Sequence, residues 1–133
     1  MKKILKLLSG MFLFIIAGCD SEQPARTSLD VWEKSGADQI EIKKALLECG
    51  IERLDGRLDT EISLDERLNA EETERLCMIQ AGFHDKLGMV KWCEKYEHLP
   101  ICQPGAVIPQ RSIDRRLNSP YCKEHKEQPE CQP

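Results

Sequence analysis

Two stretches near the end of the chain set its architecture: residues 92–104, WCEKYEHLPICQP, and residues 121–133, YCKEHKEQPECQP. Aligned without gaps they share Cys93/Cys122, Pro100/Pro129, Cys102/Cys131, Gln103/Gln132 and Pro104/Pro133, with Trp92 or Tyr121 ahead of the first cysteine. Each copy reads aromatic-C-x6-P-x-C-Q-P and contains a C-x8-C pair. Identities confined to such demanding residue types mark an internal repeat. Proline cannot continue a helix and pushes its predecessor toward extended backbone. Each copy should therefore be a turn or two of helix that breaks before Pro100 or Pro129 and folds back.

The repeat bears on the disulfides. Besides Cys19 the chain holds Cys49, Cys77, Cys93, Cys102, Cys122 and Cys131. Six cysteines allow 15 pairings. Two similar units most simply use similar internal bonds, Cys93–Cys102 and Cys122–Cys131, which leaves Cys49–Cys77. A rival set, crosslinking the repeats to each other or to the preceding helices, stays open. On loop-entropy grounds each short bridge contributes about 2.7 kcal/mol and the long one about 3.6. Such sums rival the whole stability of a small domain.

Disulfides require an oxidising compartment, and the N-terminus supplies one. It reads MKKILKLLSGMFLFIIAGC, with Lys2, Lys3 and Lys6 ahead of an apolar run from Leu7 to Ala17. Eleven helical residues cannot cross a hydrocarbon core of about 30 Å, so residues 1–18 read as an export signal. Ile16-Ala17-Gly18-Cys19 resembles a bacterial lipobox. That resemblance implies cleavage before Cys19, a diacylglyceryl group on its thiol and a third acyl chain on the new amine. Parity agrees, because acylating Cys19 leaves an even six cysteines. The protein should then hang from membrane lipid through acylated Cys19, facing the periplasm, and Asp20 resembles the inner-membrane retention signal of enteric-type lipoproteins, which favours the inner over the outer membrane. Residues 19–31 comprise the lipidated cysteine and a polar tether, and residues 32–133 form a single domain.

Residues 19–133 carry sixteen basic and twenty-three acidic side chains, a net charge of −7. Leu, Ile, Val and Phe make up 23 of these 115 residues, at the edge of what folds on burial alone. The composition excludes a large apolar core and a dominant nucleic-acid-binding surface. The expectation is a mainly α, disulfide-stapled small domain, helical over 35–83, with two C-x8-C units in a loop-rich C-terminal part.

Within 35–83, Ser35 to Gly50 forms the first helix. Ser35 and Asp38 are a capping pair, Ile42, Ala45, Leu46 and Cys49 lie on one stripe, and Gly50 stops it. Trp32 closes the end of the core. Residues 51–68 fit either a short helix or an irregular wrap. A second helix begins at an Asn69–Glu72 capping box and ends at Gly82, with Leu76, Ile79 and Phe83 as its ridge.

Catalytic and metal motifs find little footing. There is no G-x-S-x-G, H-E-x-x-H or glycine-rich phosphate loop, so the chain reads as non-enzymatic, without a cofactor. His84, His98 and His125 accompany the cysteines, but C-x8-C is not zinc-ligand spacing and no H-x3-H exists. Redox and haem motifs of the C-x-x-C type are absent too. Arg111, Arg115 and Arg116 form a basic patch that could meet lipid headgroups, a wall polymer or an acidic partner. The plainer reading pairs them with Asp114 and flanking acids. Ala106-Val107-Ile108-Pro109 reads as a buried crossover rather than an exposed docking strand.

Trp32-x-Lys34-x-Gly36, Ala45–Gly50 (ALLECG), Cys77-Met78, Gly82-Phe83 and the later cysteines together resemble small cysteine-containing lipoproteins of Gram-negative bacteria and their prophages. The resemblance implies an exported, lipidated, disulfide-bonded protein and brings no catalytic residue. The functional expectation is a membrane-anchored interaction module of the cell envelope, meeting an envelope protein or wall component through Trp32, Arg111, Arg115 and Arg116. The alternatives are an inhibitor or exclusion factor against a lytic enzyme or phage, acting through the 105–120 loop, and a carrier of metal or a small ligand.

Overall fold

The computed structural model describes residues 28–54, 61–88 and 90–133. The signal segment 1–18, Cys19 and most of the tether lie outside the described residues. The elements run α1 (Ser28–Val31), β1 (Trp32–Glu33), α2 (Gln39–Glu48), α3 (Leu64–Gln80), β2 (His84–Asp85), α4 (Trp92–Lys95), a 3₁₀ turn (Pro100–Cys102), α5 (Ile113–Leu117), α6 (Pro120–Glu124) and a second 3₁₀ turn (Pro129–Cys131). The mainly α, disulfide-stapled architecture is the one expected. Among the described residues no helix is long and apolar enough to cross a membrane.

The described residues 28–31, which precede the expected domain start at 32, already pack on the body. Leu29 and Val31 pack on the core, and the Lys86 amide donates to the Val31 carbonyl at 2.8 Å. That bond extends a short antiparallel pairing, Trp32 opposite Asp85 and Glu33 opposite His84.

α2 starts at Gln39 because Asp38 is its N-cap, with the Glu41 amide donating to Asp38 Oδ1 at 2.9 Å. Ser35, expected to share the capping, sits instead in the preceding turn. The stripe Ile42, Ala45, Leu46 and Cys49 is buried as expected, and Leu47 joins it. At the end Gly50 takes φ 110°, so the Ile51 amide reaches back to the Leu46 carbonyl at 3.0 Å. This is the double-bonded helix stop that favours glycine.

α3 departs from expectation. It starts at Leu64, more than a turn before Asn69, and is capped by Ser63, whose Oγ accepts from the Glu66 amide at 3.2 Å. Ser63-x-x-Glu66 has the spacing of a capping box, and it outcompetes the Asn69–Glu72 pair. Asn69 and Glu72 are thereby freed for contacts across the fold. The expected ridge holds only in part: Phe83 is buried and Leu76 half-buried, but Ile79 is 44% exposed, and Cys77 and Met78 are buried instead.

All three bridges are the ones inferred from the repeat: Cys49–Cys77, Cys93–Cys102 and Cys122–Cys131. The first joins the C-terminal ends of α2 and α3 under a core of Trp32, Ile42, Ala45, Leu46, Met78 and Phe83. The repeats then divide the two helices between them. The first packs on α3 through α4 and its 3₁₀ turn, while the second packs on α2 through its own.

Candidate interaction surfaces

The segment between the repeats brings its arginines to one carboxylate. Glu48 sits in the last turn of α2, where the helix dipole disfavours an acid. Arg111 Nε donates to Glu48 Oε1 at 3.1 Å and its Nη2 lies 2.9 Å from Glu41. Arg116 Nε donates to Glu48 Oε2 at 2.9 Å and its Nη1 to the Glu130 carbonyl at 2.9 Å. Arg115 Nη1 takes the Glu48 carbonyl at 2.7 Å. Burial works against the Arg111 charge, but the hydrogen bonds it donates to Glu41 and Glu48, with their negative charges, outweigh it and raise its pKa. The patch is thus a clamp on α2, and its partners are distant acids rather than Asp114.

Two expected contact residues are therefore internal. Arg116 is 3% exposed and Trp32 is 1% exposed. Trp32 Nε1 has no hydrogen-bond partner among the described residues, consistent with a ring used as core filling. Arg111 is half-buried, and Arg115 lies at the surface with one nitrogen committed. The signal that could have located this clamp is Glu48 itself, an acid at the wrong end of a helix.

The two repeats share one backbone. In each the amide after the prolyl-x pair folds back identically: Cys102 N to Leu99 O and Cys131 N to Gln128 O, both 2.9 Å. Gln103 Nε2 donates to the Glu97 carbonyl and Gln132 Nε2 to the Lys126 carbonyl, both at 2.8 Å. The shared Gln is a clasp that closes the loop.

Their outer faces differ. In the first repeat Trp92, Tyr96 and His98 form a row, with successive ring centroids 5.8 and 6.1 Å apart. Both ends are held by α3: Trp92 Nε1 donates to Glu71 at 3.0 Å, and His98 Nε2 lies 2.9 Å from Asp65. The Trp92 amide donates to Glu72 and the Ile101 amide to Asn69 Oδ1. Asp65, Asn69 and Glu72 stand at i, i+4 and i+7, one polar stripe that receives the whole unit. The second repeat keeps two rings, Tyr121 and His125, 4.7 Å apart, and Glu127 replaces His98. Tyr121 Oη donates inward to buried Glu130 at 2.7 Å.

Three further features complete the surface. Val107 is 85% exposed and Ala106 is exposed, with Ile108 and Pro109 half-buried, so the 106–109 run is not the buried crossover expected. Beneath Gln110 an open hollow of about 260 Å³ is lined by Cys77, Gln80, Ala81, Gln110 and Arg111. Glu74, half-buried on α3, has its pKa pushed up to about 7 by burial first and by the Glu71 charge second. The histidines do not converge: His98 pairs with Asp65, His125 with the Tyr121 ring, and His84 lies in β2. No group of three or more His, Cys, Asp or Glu suited to a metal occurs among the described residues. No family model matches this chain, and neither a curated protein nor a solved structure does.

Proposed function

We propose that the protein is a lipoprotein held in the bacterial envelope by acylated Cys19 and acting as a non-catalytic interaction module, with the first repeat as its contact face. The observation that carries this reading is the unequal use of one motif. The second copy is built into the body through Arg116, Glu130 and Leu47, whereas the first presents Trp92, Tyr96 and His98 along an edge of α3. Aromatic rings with polar edges are the side chains that interfaces favour. Anchoring rests on the lipobox-like Ile16–Cys19 and on disulfide bonding, which belongs to an exported chain.

The test has two parts. The intact mass of the membrane-extracted protein should equal residues 19–133 plus acyl groups and minus six hydrogens. A photo-crosslinking residue at Glu94, beside the ring row, should then trap one defined envelope partner, while the same residue at Lys123 traps none. Equal trapping at both positions would reject the first repeat as the contact face. Trapping only at Val107 would favour an inhibitor that inserts its outward loop.

A further inference from the structure

We infer that Cys93–Cys102 is a thiol–disulfide exchange site, open to a dithiol reductant while the other two bridges stay closed. The inference does not depend on the interaction reading above. Its basis is an internal control: the two repeat disulfides close loops of the same sequence separation, 9, with Cα–Cα distances of 5.3 and 5.2 Å. Loop entropy and local backbone are therefore matched, and surroundings alone distinguish them. Cys122 and Cys131 are 2% and 6% exposed and pack with Leu47, while Cys49 and Cys77 are 3% and 1% exposed within the main core. Cys93 and Cys102 are only half-buried. The fully buried apolar side chain of their loop is Leu99.

Exchange requires a thiolate to reach a disulfide sulfur, so access sets which bond reacts. The attacking thiolate forms a mixed disulfide with one cysteine and expels the other as thiolate. The reductant's second thiol then displaces the first cysteine, leaving an oxidised dithiol and two cysteine thiols. Two electrons and two protons pass to the pair. Beyond the buried Leu99, the first repeat is attached through polar contacts: Trp92 to Glu71 and Glu72, Ile101 to Asn69, His98 to Asp65. Opening would loosen the Trp92–Tyr96–His98 row and leave the α2 half, with its clamp and its own bridge, intact.

The experiment is a dithiothreitol titration of the full-length, detergent-extracted protein, quenched by alkylation and mapped by peptide mass spectrometry. Cys93 and Cys102 should be labelled at reductant concentrations about tenfold below those that label the other four. Trp92 emission should shift at that step, with helical circular dichroism largely kept. Simultaneous labelling of all six, or earlier labelling of Cys122 and Cys131, would overturn the assignment. The double variant Cys93→Ser with Cys102→Ser supplies the second readout. Its remaining bridges should titrate as in the parent, and earlier reduction of either would overturn the assignment, because in the parent they would then have opened only together with the first bond.

Discussion

The two Cys-loop repeats have the same backbone and opposite relations to the rest of the molecule. The first is received by side chains of one helix: Asp65, Asn69, Glu71 and Glu72 reach out to it. The second is gripped through arginines and backbone: Arg116 on Glu130, Arg53 on Glu124, and the Tyr121 amide on the Glu52 carbonyl. Only the second contributes its disulfide to a buried cluster. A motif held together by its own covalent bond needs little from its neighbours to keep its shape. Its neighbours instead decide whether it serves as scaffold or as surface.

The comparison breaks most visibly at Glu48. Replacing it with alanine leaves Arg116 buried without its carboxylate, and such losses cost about 3–5 kcal/mol. Urea unfolding should show this, with early hydrogen exchange spreading through the second repeat and sparing the first. A smaller contrast comes from removing each repeat's bridge. Equal loops imply about 2.7 kcal/mol for Cys93→Ser with Cys102→Ser. The Cys122→Ser, Cys131→Ser pair should lose roughly 1–2 kcal/mol more, because its hydroxyls are left buried. Equal losses would mean that burial does not separate the copies.

Glu74 sharpens the first repeat's side of the comparison. Its folded pKa of about 7 lies above the ordinary 4.5, so the native state holds a proton that the unfolded chain has released. Stability should therefore decline as pH rises from about 4.5 through about 7. Glu74→Gln should remove that decline and stabilise the protein at pH 8 by on the order of 1–2 kcal/mol, after allowance for its partial exposure. At pH 4 the two proteins should unfold together. The smallest effect belongs to Asn69→Ala. Losing one hydrogen bond costs about 1 kcal/mol, read as faster exchange at the Ile101 amide with no change at the Cys131 amide.

Much of this was legible in residues 92–133. Repetition of Cys, Pro and Gln at fixed offsets led to the correct pairing of all six cysteines, because local bonds leave a local signature. The apolar stripe of α2 was equally plain. The start of α3 failed locally, at the Ser63-x-x-Glu66 box; the other site failures share a cause, a deciding partner far away in sequence. Asn69 reads as a cap until Ile101 is seen to claim its side chain. Arg111 and Arg116 read as a patch until Glu48, 63 and 68 residues upstream, is found between them. Trp32 reads both as core and as a contact until its burial decides the matter. The ring row leaves no local signal, because it depends on Asp65 and Glu71 holding its two ends.

The Cys49–Cys77 bridge has a mechanical consequence. If the proposed reading holds, with a membrane anchor at one end and a partner at the other, the chain would carry load along its length. The bridge short-circuits a sequence separation of 28, which fully drawn out would span about 95 Å. While it holds, pulling cannot pay out that length, whatever becomes of the noncovalent contacts between α2 and α3. Under the proposed anchoring, the bridge would cap how far the chain between the membrane and the first repeat could be drawn out, and tension would pass on instead of being absorbed as slack.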